Sequence, residues 1–242
     1  MYNVIVSSSV EFGCYYKLAS KKSYQKGLAE KSGYDINIVA APYQVNFGDI
    51  CGGVIIADHW ILTSAHCKSD FIRTGSKYRL KGRKIYIKSR FIHPLYRQEH
   101  FFDYDVQLLE LEERLKFGRT VSAIAISDGS CGDDVFVNGW GFSKEKGHYE
   151  DILKQVNIQI VSLNECQKVP NFWYNHTLTP RMFCAGDSEG DACQGDSGGG
   201  AVSYRHLVGI SSFGFGCGRM PGVYINVSSP NIQLWIRRYT GI

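Results

Sequence analysis

Hydrophobic and polar residues alternate strictly in two stretches of the chain. In KIYIKSRFI, Ile85 and Ile87 alternate with Lys84, Tyr86 and Lys88; in VNIQI, Val156, Ile158 and Ile160 alternate with Asn157 and Gln159. A period of two puts every second side chain on one face of a pleated strand, so both stretches are predicted strands with one buried face. Short runs of this kind recur between turn residues from Pro42 onward, the pattern of an antiparallel barrel or sandwich. One segment has a different period. In SPNIQLWIRRYT, Ile232, Trp235, Ile236 and Tyr239 fall at i, i+3, i+4 and i+7, which predicts a closing amphipathic helix. Residues 1–33 are polar, rich in serine and lysine and weakly patterned, and are expected to form a leader-like segment.

A length of 242 residues, 44% hydrophobic and 21% charged, suits a globular all-β chain. The net charge is +4, and the densest basic run, Lys77 to Arg90, interleaves Lys and Arg with Leu80, Ile85, Tyr86 and Ile87. That run reads as a solvated strand face. No nucleic-acid-binding motif accompanies it, so nucleic acid is not an expected partner. No apolar run approaches the roughly 18 residues needed to span a membrane. The opening MYNVIVSSSV lacks the basic start and apolar core of a signal peptide. Eight cysteines, with no CxxC pair and no Cys/His cluster at ligand spacing, point to disulfides rather than to a metal. Disulfides in turn imply an oxidising, extracellular setting. A secreted monomer without metal or cofactor is expected.

The chemistry concentrates in DACQGDSGGGAV, Asp191–Val202, where Ser197 lies between Asp196 and three glycines. A serine hydroxyl becomes a useful nucleophile when a base takes its proton and another group orients that base. The main-chain N–H groups of Gly195 and Ser197 would then face a developing oxyanion. The candidate base is His66, at the end of the apolar run in WILTSAHC. His59, His93, His100, His148 and His206 lie in polar or turn-like contexts and are expected at the surface. His176 lies in NHT, where Asn175 is a candidate glycosylation acceptor. Asn226, in NVS, sits in a strand-like run where its sequon is expected to stay silent. For the orienting acid, Asp105 directly precedes the apolar Val106, Leu108 and Leu109, at the mouth of a buried strand, whereas Asp103 is expected to be exposed.

CGGVIIADHWILTSAHC, DVQLLEL, NGWG, MFCAG, CQGDSGG and PGVY, in this order and from about Gly33 to Ile242, resemble the chymotrypsin/trypsin family of serine proteases. Within it the chain is similar to the mite group 3 trypsin-like proteins, which include the scabies-mite inactivated paralogues. The resemblance implies two packed six-stranded antiparallel β-barrels with a C-terminal helix: barrel one over about 34–120, barrel two over about 121–230 and the helix over about 230–240. It implies His66 as general base, Asp105 as its orienter, Ser197 as nucleophile, and Gly195 and Ser197 as oxyanion donors. It makes Asp191 the acidic floor of a Lys/Arg pocket, with Ser212, Phe213, Gly214 and Gly222 around the bound substrate. Asp196 becomes the acid that receives a freed amino terminus. It pairs Cys51–Cys67, Cys166–Cys184 and Cys193–Cys217, and leaves Cys14 and Cys131 for a tether between leader and body.

The chain also departs from that family. The freed terminus of active members reads Ile-Val-Gly-Gly, and Glu30–Gly33 read EKSG here. A glutamate entering an apolar slot carries a large desolvation cost. IVAA, Ile38–Ala41, looks like a displaced copy, but its position removes almost 30 Å of reach at roughly 3.3–3.6 Å per residue. The Lys154 side chain offers a substitute amine. Phe213 replaces a tryptophan, Phe215 is bulky, the GRM segment is short, and Gly200 replaces a proline. The expected protein is a trypsin-like endopeptidase homologue, zymogen-like or poorly active. The alternative is an inactive paralogue that binds host or partner proteins, such as complement components.

Overall fold

The computed structural model describes residues 33–142, 147–169, 174, 176–186, 196–215 and 220–242. Its first strand, β1 (Tyr34–Asp35), is followed by six that form a closed barrel: β2 (Gln44–Phe47), β3 (Cys51–Ala57), β4 (Trp60–Thr63), β5 (Phe71–Thr74), β6 (Arg83–Ile92) and β7 (Gln107–Leu111). Their order around the barrel is β2-β3-β4-β7-β6-β5. A second set, β8 (Asp134–Gly139), β9 (Lys154–Val161), β10 (Met182–Ala185), β11 (Gly200–Ser203), β12 (His206–Phe213) and β13 (Gly222–Asn226), closes in the order β8-β9-β10-β13-β12-β11. β1 adds to it along β9, with Tyr34 opposite Gln155. A short helix α1 (Leu163–Gln167) lies between β9 and β10, and α2 (Pro230–Thr240) follows β13. All pairings within the two barrels are antiparallel. The fold is that of two six-stranded barrels with a C-terminal helix.

Several strands are buried on both faces. Within β3, β4 and β7, Ile55, Ile61 and Leu109 fill the interior of barrel one. Their neighbours Val54, Leu62 and Leu108 point the other way, into a cluster shared between the barrels that also takes Ile210, Val223 and Ile225 from barrel two. The interior of barrel two holds Val135, Val137, Ile158, Phe183 and Tyr224. An edge-on strand shows alternation, and a strand sandwiched between two cores does not. β6, at the outside, keeps the alternating pattern: Ile85 is buried, whereas Lys84, Tyr86 and Lys88 are exposed. Fully burying each such aliphatic side chain stabilises the fold by about 1.5–3 kcal/mol, so the shared cluster binds the barrels into one cooperative unit.

At the centre of this seam the main chains touch. The Gly52 N–H donates to Ser197 O at 2.8 Å. A Cβ at Gly52 would lie 2.9 Å from Gly199 N and Cα. Gly198 has φ +83°, and a side chain there would meet Thr63 Oγ1 at 2.2 Å and Gly52 O at 2.5 Å. The Gly198 and Gly199 main chain also exchanges hydrogen bonds with Ser211, at 2.8 and 2.9 Å. The turn before β11 is therefore fixed from both barrels.

The helix predicted from period 3.6 is α2. Ile232, Trp235 and Ile236 are buried, and Tyr239, though 41% exposed, packs on Phe91 at 4.7 Å between ring centroids. Beneath it His93, expected at the surface, is buried at 4% exposure. It stacks on Tyr104 at 4.3 Å and meets Trp235 edge-on at 5.0 Å. The correction comes from α2, a distant segment that roofs the histidine. Burial lowers the His93 pKa from 6.5 to about 4, against the pull of a backbone hydrogen bond at Asn231 and of the Asp103 charge.

Two outcomes are expected. Because the folded His93 releases its proton more readily than the unfolded one, its neutral burial stabilises fully above pH 6.5 and is lost as pH falls towards about 4. Urea denaturation at pH 7 and pH 5 is expected to differ by about 2 kcal/mol from this residue, and His93→Gln to shrink that difference. Gly198→Ala is expected to lower unfolding free energy by about 2–4 kcal/mol, through left-handed backbone strain and overlap with Thr63.

Candidate active site

His66 and Asp105 meet because of strand register. Thr63 at the end of β4 lies opposite Gln107 at the start of β7, so the chain just beyond one strand and just before the other emerges at the same end of the barrel. The Gln107 amide then fastens the His66 turn, its Nε2 donating to Ser64 O at 2.7 Å and Cys67 O at 2.8 Å. Asp105 is fully buried. Its Oδ1 accepts the His66 main-chain N–H at 2.9 Å, and its Oδ2 lies 2.7 Å from His66 Nδ1. Ser212, in β12 of the other barrel, donates its hydroxyl to the same Oδ2 at 2.5 Å. A buried carboxylate is tolerated when it is fully hydrogen-bonded, and here the bonds also fix the imidazole. With Nδ1 engaged, Nε2 is the ring nitrogen left to act as a base. The His66 side chain keeps 24% exposure, so it stays accessible.

Ser197 enters from barrel two, in the turn that leads into β11. The Cys51–Cys67 disulfide joins the residue before Gly52 to the residue after His66. Gly52 holds Ser197 O, and Cys67 Sγ lies 3.8 Å from that same oxygen. The serine turn and the histidine turn are thus fastened to one disulfide. The donor atoms of Cys51, His66 and Cys67 lie within 4.8 Å of one another, but the two sulfurs are joined and offer no thiolate to a metal. Cys166–Cys184 is the second described bridge. Cys131 is disulfide-bonded, and Cys14, its expected partner, lies outside the described residues, as do Cys193 and Cys217.

Asp196 folds back onto the end of β8. Its Oδ1 accepts the Gly141 N–H at 2.9 Å, and a Cβ at Gly139 would lie 1.8 Å from that oxygen. Gly139, Gly141 and Gln107 are site residues that the sequence reading did not single out. The two glycines flanking Trp140 in NGWG were the available signal. Lys154 does not supply the substitute amine. Its Nζ pairs with Asp35 Oδ1 at 2.9 Å and with Glu150 at 3.8 Å, and the hydrogen bond to Asp35 raises its pKa. The displaced IVAA is part of the folded body: Ile38–Ala40 form a 3-10 turn capped by the Asn37 side chain, with Ile38 buried.

Asp103 is also corrected, from exposed to 1% exposed. Arg181, just before β10, reaches over to it with Nε at 2.9 Å and Nη2 at 2.6 Å, and Thr179 donates at 3.0 Å. The neighbouring carboxylates Asp103 and Asp105 therefore take separate partners. Phe213 stacks on Phe102 at 4.2 Å and lies 6.0 Å from Tyr174. Gly214 and Phe215 are exposed beside it, and Gly222 is buried at the start of β13. Ser212 was expected beside the substrate, and its hydroxyl is committed to Asp105. Asp191, Gly195, Asn175 and Glu30 lie outside the described residues. Asn226 is 1% exposed within β13, so in the folded chain its amide is out of reach of a glycan.

The family model described as Trypsin matches residues 31–236. The chain is 32% identical to trypsin 5G1 of Aedes aegypti, an alignment covering 87% of this chain and 84% of that protein. It is 36% identical to the vitellin-degrading protease of Bombyx mori, covering 84% and 83%. Among solved structures it is similar to neuropsin, a serine protease expressed in the limbic system of mouse brain, with a TM-score of 0.77 and 30% identity over 85% of this chain and 97% of that one. Two closed barrels, with a histidine–aspartate pair held at their seam beside a serine turn, accompany these likenesses, and the chain belongs to the trypsin family of serine proteases.

Proposed function

We propose that the chain is a serine endopeptidase homologue in which Ser197 is the nucleophile, His66 the general base and Asp105 the group that orients it. The observation that carries this reading is the fully buried Asp105 with three hydrogen bonds, two from His66 and one from Ser212. In such a site His66 Nε2 takes the Ser197 hydroxyl proton as Oγ attacks the carbonyl carbon of a peptide bond. The amide nitrogen then leaves with that proton, and water releases the acyl group by the same steps in reverse order. Asp105 holds the imidazole in place and stabilises the imidazolium that forms. The Gly195 and Ser197 N–H groups would hold the oxyanion, and Asp191 would select a Lys or Arg side chain. Gly195 and Asp191 take these roles from the family resemblance. The substrate class is protein, and the disulfides support a secreted protein.

Turnover is expected to be low. Glu30–Gly33, EKSG, lack the apolar terminus that would pair with Asp196, and loss of one oxyanion donor typically costs about a hundred- to a thousandfold. The same EKSG favours a second reading, a paralogue that binds partner proteins on a protease scaffold.

Labelling with a fluorophosphonate, followed by intact mass before and after mild proteolysis of the leader, separates the two. A single adduct on the chain, absent in Ser197→Ala, is the expected result. Its absence in both states from folded protein would leave the binding reading. Gly139→Ala, which drives a Cβ into the Asp196 carboxylate, is expected to slow labelling by about a hundredfold. Because the Gly141 hydrogen bond to Asp196 is displaced with it, the same change is expected to lower unfolding free energy by about 1–3 kcal/mol, read by urea denaturation.

A further inference from the structure

The basic run singled out in the sequence has no part in the site above, and its charge is left over. Between Arg73 and Arg90 there are eight Lys and Arg residues and no Asp or Glu. Four take a carboxylate from elsewhere: Arg73 from Asp49, Arg83 from Glu113, Lys88 from Glu110 and Arg90 from Asp70. Among the described residues the other four, Lys77, Arg79, Lys81 and Lys84, have no carboxylate partner. The chain's whole net charge is +4, so one hairpin holds an excess equal to that of the entire molecule.

Three of those four cations lie over rings instead. Lys84 Nζ is 3.9 Å from the Phe71 ring centre and 5.0 Å from that of Tyr86. Lys77 lies over Tyr78 at 5.2 Å and Arg79 over Tyr149 at 4.7 Å. A ring positions a cation without cancelling its charge. The apolar side chains between them are left open to solvent: Tyr78, Leu80 and Tyr86 are 48%, 49% and 51% exposed. The sequence reading of a purely solvated face therefore misses an apolar component.

The surface is also held rigid. Lys77 O accepts from Leu153 N and from Trp140 Nε1, both at 2.8 Å, and Arg79 N donates to Asp151 O at 2.9 Å. A loop of barrel one is thus clamped to barrel two, and little order remains to be gained when it binds a partner. β5 and β6 already have strand neighbours on both sides, so a ligand docks here through side chains and not as an added strand.

We propose that the β5–β6 hairpin is a docking surface for an acidic protein segment whose carboxylates alternate with apolar side chains. Carboxylates would pair with Lys77, Lys81 and Lys84, and the intervening apolar groups would cover Leu80 and the exposed tyrosines. A sulfated glycan or nucleic acid would meet the charge and leave those apolar groups wet.

The test uses the Ser197→Ala chain, so that it is independent of the protease reading. A fluorescent twelve-residue peptide repeating Glu-Leu-Glu-Tyr is titrated by anisotropy, against the Gln-Leu-Gln-Tyr control and a heparin oligosaccharide. Saturable binding of the acidic peptide is expected, about tenfold weaker for the control. Lys81→Glu with Lys84→Glu is expected to weaken it by about tenfold or more. Leu80→Ser is expected to weaken peptide binding about threefold and to leave heparin binding unchanged. All three substituted positions are exposed, and an unchanged urea midpoint shows that the variants fold. The proposal is overturned if no saturation is reached, if charge reversal leaves peptide affinity unchanged, or if Leu80→Ser leaves it unchanged, the behaviour of a plain polyanion site.

Discussion

Where the N–H of Gly52 meets the carbonyl of Ser197, two barrels share a main-chain hydrogen bond, 2.8 Å long, and side chains are missing on both sides. Gly52 approaches the Gly199 main chain so closely that it has no room for a Cβ, and Gly198 turns left-handed beneath Thr63. Because interiors are close-packed, a side chain at this contact could be accommodated only by moving the barrels apart. Everything chemically interesting is then a matter of what each barrel brings to that line: a histidine and an aspartate from the ends of β4 and β7, a serine from the turn before β11, and a second serine from β12.

The electrostatics follow from the same geometry. Asp105 is sealed from water by the seam and would be costly there unpaired. His66 supplies two of its bonds from barrel one, and Ser212 crosses from barrel two to supply the third. Nearby, Asp103 receives its cation across the same boundary, from Arg181. The two acids of DYD are therefore both solved by contributions from the opposite barrel, which makes correct docking of the barrels a condition for charge burial as well as for apolar burial.

How much of this was legible depended on whether the decisive neighbour was local. β6 and β9 each keep one wet face over much of their length, and α2 lays one stripe on the core, so their periods appear in the sequence. β3, β4 and β7 are covered on both faces, and alternation vanishes there; β4 and β7 showed in the sequence as unbroken apolar runs, the one before His66 and the one after Asp105. His66, Asp105 and Ser197 stood out through the short motifs around them. His93 and Asp103 did not, because what buries them lies far outside any local window: Arg181 is 78 residues beyond Asp103, and α2 lies further still beyond His93. Lys154 failed as a substitute amine for a similar reason: Asp35, distant in sequence, lies opposite it once β1 pairs with β9.

The aromatic stack under α2 has a consequence for how the chain is made. Trp60, Phe91 and Tyr239 form a continuous row, with rings 5.7 and 4.7 Å apart, and Trp235 closes over His93. The first barrel can complete its own ladder of hydrogen bonds early in synthesis, yet part of its outer wall stays uncovered until a segment from the far end of the sequence arrives. A chain halted before Ser229 would expose that aromatic wall to water, the kind of surface that chaperones retain and that aggregates recruit. The wall is thus covered only once the residues through Tyr239 have been made.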